Sequence, residues 1–509
     1  MPTITFRRLL ILLALEAVCF GPYLFSTGFY LDDYVFLHYV IADVGPGGTP
    51  DLAAGIRSFA AGGFWNRPAE ILHYPLLIWL GGMKPWLYRC VGLALELLLG
   101  VFMFLTFRRI SGDGCLALLA GVFALAYPNH TVTHVWMTAS APVASFVLVF
   151  ASLALHGRAL ARRDKRAAVG AQALFLFALL EYEAVAFFPV LFVAARIARR
   201  GVARSVRESW HYAATLAAAM LYLRGFATLL IEEPTRPVRL SLEHFAAVYH
   251  EALACATTRP FGLFLDALAG DAAALGLAAR IALLVAAAGL AYVIGRERRA
   301  APVSRDGAFA LLAAAAALFV VSYIPYALTG TYMPRIVGVM NRLNHGGGIA
   351  AGMALAAGCG LMPGRWRGLP LRTGAVTAAL ALMITVQWDA GHKWSEAWSL
   401  QRRTVEDIRA ELPAGPATVV LAELPSSYHG ATIFRTSYDI TRALWYAVGR
   451  KDIRGDWALS GRYDDAALVV VNGQGMVSRY PYENLYIYDG RKRRLFSVTG
   501  KGRVSPIES

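Results

Sequence analysis

The sequence predicts a polytopic α-helical membrane protein of about eleven transmembrane helices, with a small C-terminal α/β domain outside the membrane. Three observations carry that expectation. Hydrophobic residues make up 57% of the 509 positions and charged residues only 16%, whereas soluble domains sit near half and a quarter. Apolar stretches of roughly spanning length recur between short basic clusters. After Trp388 these stretches stop and strand-like runs begin. The same composition, with a mean hydropathy of +0.48, excludes a cytosolic enzyme, a disordered chain and a coiled coil.

Arg7 and Arg8 precede an apolar run from Leu9 to Phe25. No A-x-A-like cleavage site follows and Glu16 interrupts the run, so it reads as an uncleaved first span that starts inside. Ten more spans are expected at about Trp86–Phe107, Cys115–Tyr127, Ala139–His156, Ala167–Leu180, Ala184–Ala195, His211–Ile231, Leu275–Gly295, Gly307–Leu328, Gly346–Met362 and Gly374–Trp388. The net charge is +15, carried by 43 Arg and six Lys. Its clusters at Arg7/Arg8, Arg108/Arg109, Arg158–Arg166, Arg196–Arg204, Arg296–Arg305 and Arg365–Arg372 fall on one side if the spans alternate, which is the positive-inside pattern. The N-terminus is then cytoplasmic and the C-terminal domain periplasmic. The Arg-over-Lys bias is a compositional hint of a GC-rich bacterium, and the expected membrane is a bacterial inner membrane. Ala167–Ala195 becomes a tight hairpin with its tip at Glu181-Tyr182-Glu183, and residues 232–271 stay outside. The five cysteines are scattered, with no disulfide framework and no zinc spacing.

The membrane module is expected over residues 1–390. Its first outer loop, residues 30–85, holds an amphipathic stretch around Ala69–Trp79 suited to the interface. Residues 391–509 are expected to form the outer α/β domain, with a polar helix at Ser395–Leu412 and strands at Ala417–Ala422 and Ala467–Val471. Polar residues gather on the outer face: Asp32 and Asp33, Trp65-Asn66-Arg67-Pro68, His130 and His134, Glu181 and Glu183, Arg335, Arg342 and His345. Acids, histidines and arginines there suit group transfer from a lipid-borne phosphate. An Asp takes the proton of an attacking hydroxyl, and arginines clamp the phosphate. Each residue also has a structural reading. The acid pair serves equally as a helix cap, the glutamates as a solvated tip, the arginines as snorkelling cations and the histidines as loop polarity.

The order of these motifs resembles the GT-C superfamily of integral-membrane glycosyltransferases, over roughly residues 1–390. The group includes protein O-mannosyltransferases and the aminoarabinose transferase of lipid A. The resemblance rests on Asp32-Asp33 in the first outer loop, Arg67-Pro68 in the same loop, Tyr127-Pro128-Asn129-His130 with Trp136, the Leu180–Pro189 hairpin and Arg342. Tyr127 stands where the O-mannosyltransferase branch has His, and Glu181-Tyr182 where it has Ser-Lys; the latter removes a phosphate-binding lysine from the tip. The resemblance implies an inverting transferase with a polyprenyl-phosphate sugar as donor and a glycan, lipid or protein hydroxyl as acceptor. Asp32, or Asp33, would be the general base. Arg342, Arg335, Arg67 and His345 would meet the donor phosphate, and His130, His134, Glu181 and Glu183 would line the site. No metal or other cofactor is expected, a divalent ion at the acid pair being the alternative. Nucleic acid is not an expected partner.

Three competing readings stay open. A transporter or flippase would exploit mid-span charges such as Glu16, Glu96 and Arg224, with Glu96 and Arg224 as a buried pair. A glycan polymerase or ligase would also place acids and arginines on the outer face. A scaffold would use only its outer domain.

Overall fold

A computed structural model describes residues 4–42, 48–226, 241–269, 304–329, 332–363, 371–472 and 476–506, with a few single positions between 229 and 292. The chain is mostly helical, with a C-terminal sheet. Ten of the expected spans coincide with helices over all or much of their length. The expected span Leu275–Gly295, the Arg296–Arg299 cluster, Arg365 and Arg367 lie outside the described residues. Among the described residues, four helices are long and apolar enough to cross a membrane: Pro85–Ser111, Met137–Arg162, Arg305–Thr329 and Leu371–Glu411. Others are shorter, such as Phe6–Phe20, Gly114–Ala126 and His345–Leu361. By length and composition, there are four candidate spans among the described residues.

Two segments differ from expectation. The helix expected at His211–Ile231 begins earlier, at Val202, and takes in Arg204 and Arg207. It is separated from the helix Pro189–Arg200 only by Gly201, whose φ of 74° suits a residue without a Cβ. The second is the polar helix expected at Ser395–Leu412, which is the far end of one 41-residue helix, Leu371–Glu411. Polarity changes along that helix without a proline or a capping residue to end it. The i,i+4 pair Asp389–Lys393 lies across the change and supports continuation.

The core of the helical body is Gly114–Ala126, buried from Cys115 to Ala126. It packs on Pro85–Ser111 and on His345–Leu361. Small residues permit the approach: a Cβ on Gly352 would lie 2.4 Å from the backbone nitrogen of Ala124. A second layer begins with the loop after the first helix, which folds into the helices Asp32–Ile41, Leu52–Ala61 and Glu70–Gly81. Glu70–Gly81 is the amphipathic stretch that the sequence marks.

Nine strands follow the long helix: β1 (Ala417–Ala422), β2 (Ser427–Tyr428), β3 (Ala431–Thr432), β4 (Ile453–Tyr463), β5 (Ala467–Asn472), β6 (Val477–Pro481), β7 (Leu485–Asp489), β8 (Arg494–Gly500) and β9 (Arg503–Pro506). Seven form a mixed sheet in the order β6-β5-β4-β1-β7-β8-β9, while β2 and β3 make a separate hairpin. β1 runs parallel to β4 and β7, and the flanking pairs are antiparallel. One hydrophobic cluster joins this sheet to the loop after the first helix, with Tyr30, Tyr34 and Leu37 packed in common with Trp394, Val419, Phe434 and Leu444. The sheet is thereby held over the point where the chain leaves its first helix.

Candidate functional site

The two adjacent acids are built to differ. Tyr30 to Asp33 form a tight turn, closed by Asp33 N–H donating to the Tyr30 carbonyl at 3.0 Å. Leu31 sits in it at φ 48°, a conformation that costs a non-glycine residue about 1–3 kcal/mol. Asp33, fully buried, holds the turn. One carboxylate oxygen accepts the Tyr30 N–H at 3.0 Å and the other accepts the Thr138 N–H at 3.0 Å. The turn is pinned further by Trp136 Nε1 donating to the Tyr30 carbonyl and the Tyr30 hydroxyl donating to the Trp394 carbonyl. Burial pushes the Asp33 carboxyl up to about 7, against the pull of Arg89 and of the Tyr30, Thr138 and Met137 N–H groups.

Asp32 is half-buried and faces a different neighbourhood. Burial raises its carboxyl, while the nearby guanidinium groups of Arg342 and Arg435 draw it back. Arg342 lies 4.7 Å over the ring of Trp136, the same indole that pins the turn. Arg435 comes from the C-terminal domain. A capping box formed by Thr436 and Asp439 starts the helix Ser437–Val448. Asp439 also accepts the Arg435 N–H at 3.0 Å, which fixes the residue at the helix entry. Burial pushes the Asp439 carboxyl up to about 7.

A second cluster joins the amphipathic helix to the hairpin tip. Arg67 forks onto Glu183, with Nε and Nη2 at 3.0 and 2.9 Å from its two oxygens, and reaches Glu70 at 3.5 Å. Its guanidinium also covers the ring of Tyr182 at 4.5 Å. His73 lies one turn further along, 2.8 Å from Glu181 and 2.9 Å from the Ser140 hydroxyl. Burial lifts Glu70 to about 7 despite Arg67. His73 is pulled down by burial but carried above its ordinary value by Glu181 and Glu70. Tyr326, buried, feels both Glu183 and Arg342, so the two clusters are neighbours. Arg67, expected at the donor phosphate, instead commits its guanidinium to two carboxylates.

The three histidines lie deeper. His130 stacks on His345 with centroids 4.4 Å apart and the rings 7° from parallel. His345 also stacks on Phe146, and His134 on Phe20. All three are buried, and His345 opens a core helix rather than the outer cluster expected of a phosphate ligand. Glu96, expected to pair with Arg224, faces His134 at 3.5 Å and Thr133 instead. Among the described residues, no group of three or more His, Cys, Asp or Glu is arranged to hold a metal.

A cavity of about 550 Å³ opens between the late loop, residues 333–340, and the sheet domain, and Arg435, which acts on Asp32, is on its wall. Arg335, Arg435 and Trp457 line it, with Gly338 and Gly430 where the two segments meet. Sequence reasoning missed Glu70 and His73, although i,i+3 spacing next to Arg67 was a usable signal. Arg435 was not among its site candidates, although Thr436-x-x-Asp439 marks a helix start at its side. Nothing in the spacing pointed to Arg89.

Compared with models of protein families and with curated proteins, the chain matches none.

Proposed function

We propose that this chain is an inverting glycosyltransferase of the bacterial inner membrane. It moves a sugar from a polyprenyl-phosphate donor to an acceptor hydroxyl on the periplasmic face. The proposal includes about eleven spans, a cytoplasmic N-terminus and a periplasmic C-terminal domain. One observation carries it: the guanidinium groups of Arg342 and Arg435 act on Asp32, and Arg435 also lines a cavity of about 550 Å³.

In the reaction, the acceptor hydroxyl attacks the anomeric carbon as its proton passes to the Asp32 carboxylate. The bond from the anomeric carbon to the phosphate oxygen breaks, and the lipid phosphate leaves with the electron pair. Arg342 takes up the developing negative charge, an electrostatic contribution of about 3 kcal/mol in comparable sites. Asp33 acts through the turn: it holds Asp32 at the cavity and does not touch substrate.

The test is transfer by the full chain in nanodiscs, with a panel of labelled polyprenyl-phosphate sugars and membrane-derived acceptors. Asp32→Asn is expected to abolish transfer while melting as wild type does, and Arg342→Ala to raise the KM for donor. Retained transfer in both Asp32→Asn and Asp33→Asn removes the proposal. A second reading, a transporter or flippase, draws on Glu16, Glu96 and His134 buried together in the helical body. Flux into proteoliposomes that Glu96→Gln abolishes would favour it.

A further inference from the structure

We infer that the cavity between the late loop and the sheet domain is the acceptor subsite, and that it takes an acidic saccharide. Its occupant carries a carboxylate or a phosphate on the sugar. Only the word acceptor rests on the transferase reading; the binding does not.

Four features of the cavity point to that chemistry. The first is charge. Arg335 and Arg435 line it, and no acidic residue is among the described lining residues. Both side chains are exposed and neither makes an ion pair among the described residues. The Arg335 and Arg435 guanidinium groups, one from each wall, present forked donors that match a carboxylate or phosphate.

The second feature is the remaining lining. Ser426, Ser427 and Thr432 supply hydroxyls that donate or accept, and Trp457 supplies an aromatic surface. The Trp457 indole is held by its Nε1 donating to the Leu424 carbonyl at 2.9 Å. A fixed amphipathic ring beside hydroxyls suits a sugar, with its apolar C–H face and polar rim. An acidic peptide would use the arginines but would leave that pairing idle.

The third feature is size and rigidity. About 550 Å³ lies within the roughly 300–1,000 Å³ of ordinary small-ligand sites. The two walls touch at Gly338 and Gly430. A Cβ on Gly430 would lie 3.1 Å from Val337, and one on Gly338 would lie 3.4 Å from the Gly430 carbonyl. Both glycines have positive φ, at 74° and 90°, so the contact depends on both being glycine.

The fourth is direction. Arg435 lines the cavity and also faces Asp32, so a saccharide held by Arg435 lies beside the acid. Arg342, in the same late loop, is absent from the described lining and stays available to the donor phosphate.

The experiment presents the full chain in nanodiscs to an array of immobilised saccharides. Uronate-bearing sugars, phosphate-bearing sugars, their neutral counterparts and acidic peptides form the four arms. Retention is expected on one or both acidic sugar arms, and which of the two is retained identifies the anion. Arg335→Glu is expected to weaken retention by about tenfold or more, and Arg335→Gln by less. Because Arg335 is exposed, both variants should melt as wild type does. Equal retention on neutral sugars, retention on acidic peptides instead, no retention on any arm, or indifference to Arg335→Glu each overturns the inference. In transfer assays, Arg335→Glu should raise the KM for acceptor; a rise confined to donor also overturns it. The array needs neither donor nor turnover. Failure of the wild-type chain to transfer any of the sugars would therefore sink the transferase reading while leaving the binding result intact, and a blank array would do the reverse.

Discussion

Replacing Asp33 by asparagine is expected to destabilise the second layer by about 2–4 kcal/mol, whereas the same change at Asp32 leaves stability nearly untouched. The Asp33 carboxylate uses both oxygens, one on the Tyr30 N–H and one on the Thr138 N–H, each at 3.0 Å. An amide of the same shape has one acceptor oxygen. Whichever way it turns, its NH2 faces one of those N–H groups and leaves a buried donor without a partner, at about 1–3 kcal/mol. The bond to Tyr30 also holds Leu31 at φ 48°, so part of that residue's strain, itself about 1–3 kcal/mol, is added when the bond goes. Asp32 has no hydrogen bond of this kind in the turn, and its charged neighbours are partly open to solvent.

The assay is thermal unfolding of the full chain in detergent, with wild type and both variants side by side. Asp33→Asn should melt several degrees lower, and Asp32→Asn within error of wild type. A second signature comes from pH. The folded pKa of Asp33, about 7, lies above its unfolded value. Its stabilising contribution is therefore fully present at low pH and is lost as pH rises through about 7. Asparagine does not titrate, so the gap between wild type and variant should narrow over the same range. Equal melting of Asp33→Asn and wild type would refute the assignment of Asp33 as the clamp on the turn, and a widening gap would refute its raised pKa.

Glu70 and Asp439 also titrate near 7, and His73 is raised. All have the same sign as Asp33, whereas burial holds His130, His134 and His345 below their ordinary value and so acts in the opposite sense. Glu70→Gln should therefore remove part of the stability lost as pH rises from about 5 to about 8, and an unchanged slope would contradict the Glu70 shift. Arg67 and Glu183 are 26% and 48% exposed, so solvent screening discounts their bidentate geometry. A double-mutant cycle with alanine at each should give a coupling of about 1 kcal/mol, and zero coupling would make the pair incidental. Gly352→Ala should destabilise by about 1–3 kcal/mol, because its Cβ would meet the backbone of Ala124 rather than a side chain that can turn away. A neutral melting shift would show that the Gly114–Ala126 and His345–Leu361 helices can separate freely.

Helix positions were legible because apolar run length and basic punctuation are properties of neighbouring residues. Strands β1 and β5 were legible for the same reason, as short β-branched runs between turns. The pairing of Arg67 with Glu183 was not, since 116 residues separate them and no spacing rule spans that distance. Nor could sequence separate the two acids. Adjacent residues in a helix's first turn point about 100° apart, so one of the pair had to turn inward, but only the packing of Thr138 and Arg89 shows which. The change of composition after Trp388 was misread as an element boundary. Backbone hydrogen bonding continues through a change of polarity when no proline or cap interrupts it.

That continuity bears on what the C-terminal domain does. A domain on a loose tether would leave the outer acids exposed and would add a binding function at a distance. Here one helix carries the chain from the apolar body into the sheet domain, and Trp394 on that helix accepts the Tyr30 hydroxyl bond at its carbonyl. Arg435 stands beside Asp32 because its own helix, Ser437–Val448, packs on Asp32–Ile41 and on the long helix. The acid and the turn that aims it thus come from one segment and the guanidinium that faces it from another, about 400 residues later, both held by one shared core. A change in the sheet domain that loosens this core should reach Asp32 directly, so the domain is a wall of the candidate site rather than an attachment to it.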